Sequence, residues 1–190
     1  MSRRSEVLAL GFAALLFGAV GASASLLQSP LHGQEAAPEY DIKAALIHNF
    51  ARFTEWPEGA LAGSPDELRL GILGPEAALD SMERVLKGKT VGGRRIKLIH
   101  GKAPSDFKTC QLVFIAAAEK DQTAALVEAY KGKPVLTIGE SEGFAQDGGI
   151  INFYLEQNKV KFEINSDAAA RAGLRVTKLV SVAPRRVKDR

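Results

Sequence analysis

At 190 residues, with 46% apolar and 25% charged side chains, the chain has the make-up of one soluble domain with its own core. That balance excludes a disordered or membrane-embedded protein, and the length excludes two large domains. The formal charge of +3 is matched by the C-terminal segment alone, where Arg185, Arg186, Lys188 and Arg190 stand against Asp189, so the body is nearly neutral and offers no basic face for nucleic acid.

Arg3-Arg4, an uncharged apolar run from Val7 to Val20, and the small residues Ala22-Ser23-Ala24 follow one another as the segments of a secretory signal peptide do. Residues 1–24 are therefore expected to direct export and to be cleaved after Ala24. An uncleaved anchor is the rival reading, because no charge falls between Val7 and Gln28, but alanine and glycine dilute the run. Arg3-Arg4 also suggests twin-arginine export, against which Glu6 interrupts the apolar residues that should follow. Residues 25–39, with Pro30, Gly33 and Pro38, read as a flexible leader.

From Tyr40, the residues Ile42, Ala45, Leu46, Asn49, Phe50 and Phe53 recur at steps of three and four. This spacing predicts a helix with one buried face, stopping at Trp56 because Pro57 disfavours helical geometry in the residue before it. Leu68–Leu73 reads as a buried strand, and Gly74-Pro75 opens a helix whose apolar face is Leu79, Met82, Val85 and Leu86 and which ends at Gly88. Arg95–Ile99 and Cys110–Ile115 are strands, residues 124–130 belong to a helix closing at Gly132, and Pro134–Ile138 is a strand. Two further apolar runs, Ile150–Leu155 and Val160–Ile164, pair as an antiparallel hairpin around a turn at Asn158-Lys159. Asn165 or Ser166 caps a final alanine-rich helix.

Strands that alternate with helices need crossover connections. The expected fold class is therefore α/β: a single domain of three layers, with a Rossmann-like, mostly parallel sheet, helices on both faces and a C-terminal antiparallel hairpin at the edge. The domain is expected over residues 40–184, and residues 185–190 read as a solvated basic tail.

No catalytic constellation assembles from these elements. Gly139-Glu-Ser-Glu-Gly143 matches a nucleophile elbow after a strand, but Phe144–Gly149 is a poor helix, and His32, His48 and His100 all precede Ser141. Gly88-Lys89-Thr90 mimics the end of a phosphate loop without its upstream glycine or strand. The histidines lack partners at ligand spacing, so no metal or cofactor is expected. Glu140, Glu142 and Asp147 could gather at one rim as a cation site or acid pair, but a charged loop explains them better. The better candidates are binding residues: Trp56, flanked by Glu55, at a helix end; Phe144 beyond the carboxyl end of a strand; and Arg94-Arg95, a compact basic spot suited to a carboxylate or phosphate. For both aromatics, a core position is the competing explanation.

Gly143-Phe144, Gly148-Gly149-Ile150-Ile151, Val160–Asn165 and Ala168-Ala169 with Gly173-Leu174 resemble the signature of the YfiR family of exported bacterial regulators. Asn49–Pro57 is similar to that family's N-terminal helix and its Trp-Pro stop. The resemblance covers nearly all of the chain after residue 39, and it implies a non-catalytic, dimeric periplasmic repressor. Such proteins bind the periplasmic part of a membrane-bound diguanylate cyclase and lower cyclic-di-GMP. A small-ligand-binding or accessory module for another membrane sensor, such as a histidine kinase, is the alternative, and a serine hydrolase at Ser141 a remoter one. Family members that use disulfides have partners for the cysteine at the position of Cys110. The matching site on the first strand here is Gly71, so the resemblance does not extend to redox control.

Overall fold

The computed structural model describes residues 32–190; the expected signal peptide lies outside the described residues. The elements in chain order are α1 (His32–Phe53), β1 (Glu67–Leu73), α2 (Glu76–Leu86), β2 (Thr90–Val91), β3 (Arg94–His100), β4 (Leu112–Ile115), α3 (Thr123–Tyr130), β5 (Leu136–Gly139), β6 (Ile151–Glu156), β7 (Lys159–Asn165), α4 (Ser166–Arg171), α5 (Thr177–Val182) and β8 (Arg185–Val187). They build one eight-stranded sheet in the order β2-β3-β1-β4-β5-β6-β7-β8. All neighbours run parallel except β2 with β3 and β6 with β7. This is the α/β fold the sequence predicts, and the reversal of strand order beside β1 makes it doubly wound.

Alternation along the strands supplies a core on each face. Leu70, Ile72, Leu112, Phe114, Leu136, Ile138, Ile151 and Phe153 point to the larger one, where Ala44, Ile47 and Phe50 of α1 and Ala78 and Met82 of α2 cover them. Leu73, Val113 and Ile115 point the other way, to Leu126, Val127 and Tyr130 of α3.

α1 begins at His32 rather than Tyr40, so residues 32–39 of the expected leader are helical. The hairpin turn is Gln157-Asn158, one residue earlier than expected, and both residues have positive φ, 52° and 58°, as a two-residue hairpin turn of matching twist requires.

The C-terminal segment is the larger correction. It is a paired strand and not a free tail, although every residue of 185–190 except Val187 stays exposed: β8 lies parallel to β7, Arg185 stacks over the Tyr154 ring at 4.0 Å, and Arg190 Nε donates to Asp147 at 3.1 Å. Asp189 accepts from Asn165 Nδ2 and pairs with Arg171, each at 2.5 Å. Burial opposes the charge on Asp189, but the hydrogen bonds from Asn165 and Arg171 prevail and hold its carboxyl below the usual range.

Phe144 is corrected as well. Its ring is fully buried, so it is a core residue and leaves the set of surface anchors.

Cys110 is buried beside Phe107, Val113 and Tyr130, and burial pushes its thiol up to about 11. A β-carbon on Gly71 would stand 2.5 Å from the Phe107 ring, so that ring fills the place a partner cysteine would need. The thiol is expected to resist alkylation at pH 8 in the native protein and to react stoichiometrically in denaturant; mass spectrometry of the two samples checks this.

Candidate functional site

The end of α1 and the loop after it form one wall of a cavity. Thr54 Oγ1 donates to the Phe50 carbonyl at 2.8 Å and closes the last turn. Glu55 then pairs as an isolated antiparallel bridge with Arg175, through Glu55 N to Arg175 O and Arg175 N to Glu55 O, both 3.0 Å. The Arg175 guanidinium returns to the Glu55 carboxylate, with Nε at 3.0 Å. Pro57 starts a run of tight turns, in which Ala60, Ala62 and Ser64 amides donate to the carbonyls of Pro57, Gly59 and Leu61. The opposite wall is the β2–β3 turn. Gly92 and Gly93, at φ 56° and 79°, adopt the left-handed conformations that such a turn demands.

Between these walls lies a cavity of about 460 Å³, lined by Ala51, Trp56, Pro57, Leu61, Leu68 and Val91 together with Arg52 and Arg94. Trp56 is half-buried and packs against the larger core, while its indole N–H is buried without an acceptor. Arg94 Nε donates to the Ser64 carbonyl at 3.1 Å, which fixes the guanidinium against the loop. Of the residues singled out from the sequence, the fold therefore brings Trp56 and Arg94 together. Glu55 is exposed and engaged by Arg175. Arg95 projects from the other face of β3 and is exposed. The sequence reading missed Arg52 and the lining residues Leu61, Leu68 and Val91, which only the packing of three separate segments unites.

The remaining candidates disperse. Glu140 turns inward to Lys43, and its Oε1 accepts from the Tyr40 hydroxyl at 3.2 Å and the Ala117 amide at 2.8 Å. Burial, followed by the charge of Glu140, raises the Tyr40 phenol above its ordinary value, so it serves as a neutral donor. Asp147 pairs with Arg190. Among the described residues, no group of acids, histidines and cysteines is placed to hold a metal ion. Ser141 Oγ has Thr123 Oγ1 at 3.5 Å. His48 and His100 point elsewhere, donating from Nε2 to Thr90 O at 3.1 Å and Gly74 O at 3.3 Å.

The family model described as YfiR/HmsC-like matches residues 40–184, from the middle of α1 to the end of the loop before β8. The chain belongs to that family. It is a family of periplasmic regulatory proteins. Among solved structures, a conserved domain protein from Vibrio cholerae O1 biovar eltor is similar with a TM-score of 0.52 at 9% identity, over 78% of this chain and 60% of that one. An ABC domain from Streptococcus pneumonia in complex with L-Trp is similar with a TM-score of 0.48 at 8% identity, over 64% of this chain and 55% of that one. This chain thus spans little more than half of either. No helix among the described residues is long and apolar enough to cross a membrane.

Proposed function

We propose that this YfiR/HmsC-like protein acts as a homodimer that binds the periplasmic part of a membrane-bound diguanylate cyclase and holds it inactive, so that cyclic-di-GMP stays low. The observation that carries this reading is the family match, which runs over α1 and the sheet as far as α5. The proposal includes export by residues 1–24, with residues 40–184 as the regulatory domain. Repression requires that the protein prefer one state of the cyclase, because a ligand with equal affinity for both states shifts nothing. Surface residues at element ends are suited to that discrimination, and the exposed Glu55 and Arg95 join Trp56 and Arg94 as docking candidates.

Deleting the gene in cells that keep the cognate cyclase is expected to raise cyclic-di-GMP, and re-expression with the export signal to restore the low level. An unchanged level after deletion, or full restoration by a form retained in the cytoplasm, overturns the proposal.

A further inference from the structure

We propose that the cavity between Trp56 and the β2–β3 turn binds a small amphiphilic anion, a molecule with an apolar body and a single carboxylate or phosphate head. Its volume of about 460 Å³ lies within the roughly 300–1,000 Å³ of small-molecule sites. The lining of Trp56, Leu61, Leu68 and Val91 suits a hydrocarbon or a ring, and the charged residues that line the cavity, Arg52 and Arg94, are both cations.

The state of those arginines decides the sign of the ligand. Arg69, Arg84, Arg171, Arg175, Arg185 and Arg190 each sit within ion-pair distance of a carboxylate. Arg52 and Arg94, like Arg95 and Arg186 outside the cavity, make no such pair among the described residues. Of the two acids in the adjoining loop, Glu55 is engaged by Arg175, and neither Glu55 nor Glu58 is part of the lining. Two guanidinium groups without counter-charges at an apolar cavity form an anion site by charge complementarity.

Arg94 is also held in place for this role. Its Nε bonds Ser64 O, and its Nη1 passes over Gly92, 3.9 Å from where a β-carbon would stand. The terminal nitrogens are left to form a fork for a head group.

Trp56 is the single tryptophan of the chain, so fluorescence excited at wavelengths beyond tyrosine absorption reports on this cavity alone. The test titrates the purified mature protein with octanoate, octyl phosphate and octan-1-ol, all below their aggregation limits. The expected result is a saturable change with at least one of the two anions, at an affinity about tenfold or more above that of the alcohol. Arg94→Met is expected to remove that advantage and leave alcohol binding unchanged, while Arg95→Met, on the other face of β3, leaves both unchanged. Preference for octyl phosphate assigns a phosphate head, and preference for octanoate a carboxylate. Should Arg94→Met lower the thermal midpoint, Arg52→Met at an exposed position gives the same reading. Equal affinity for anion and alcohol, an unaltered anion affinity in the arginine variant, or no saturable change overturns the proposal. Because binding is read on the isolated protein, this outcome is independent of whether the protein represses a cyclase.

Discussion

Replacing Phe144 by alanine is expected to lower the stability of the domain by about 3–5 kcal/mol and its thermal midpoint by on the order of 10 °C. The ring is fully buried in the smaller core with Val113, Ile115, Leu126 and Val127. Two glycines make room for it: a β-carbon on Gly139 would come within 2.4 Å of the ring, and one on Gly149 within 2.1 Å. The surrounding backbone is tied down on both sides, with Phe144 N bonded to Ser141 O at 3.1 Å and Gly149 N to Phe144 O at 2.9 Å. When the ring is lost, neither glycine has a side chain to collapse into the space, so the cavity persists and its cost adds to the lost burial. Urea unfolding of Phe144→Ala, with Phe144→Leu as the milder comparison, measures the effect. A loss below about 1 kcal/mol would contradict the core assignment. Any weakening of repression in cells is expected to follow the folded fraction, as it does for a core residue and not for an interface one.

The element types of this fold were legible in the sequence because apolar spacing sets helix and strand locally. The apolar steps from Ile42 to Phe53 predicted a helix but not the face it buries: of those residues only Phe50 is buried, Leu46 is half-buried, and Ile42, Ala45, Asn49 and Phe53 stay exposed, while Lys43, Ala44, Ile47 and Ala51 turn inward. Asn165 was readable as a cap, and its Oδ1 does accept from Ala168 N at 2.9 Å. Its Nδ2 also bonds Ala145 O at 2.7 Å and Asp189, two partners that no local rule foretells. β8 was misread for a related reason: Arg185, Arg186 and Lys188 look like a solvated run until Asp147, Glu156 and Arg171 of other elements supply their segment with partners. The cavity was half legible. Trp56 and Arg94 stood out by residue type, whereas Leu61, Leu68 and Val91 read as ordinary apolar residues until three chain segments met.

Replacing Lys43 by methionine is expected to cost about 3–5 kcal/mol, and replacing Lys43 and Glu140 together by methionine markedly less. The two side chains pair across 97 positions of sequence, with 6% and 8% of their surfaces exposed. Glu39, one turn before Lys43, meets the same ammonium. The arrangement holds α1 against the carboxyl ends of β4 and β5, with Tyr40 packed edge-on to Phe114 at 6.4 Å. Removing the cation alone leaves the Glu140 carboxylate buried with only the Tyr40 hydroxyl and the Ala117 amide to support its charge. Removing both charges replaces a desolvated pair by apolar volume, a change that is often close to neutral. The four proteins of this cycle, unfolded in urea, separate the coupling from the packing contribution. A double-variant loss equal to the sum of the two single losses would show that the two charges are not coupled.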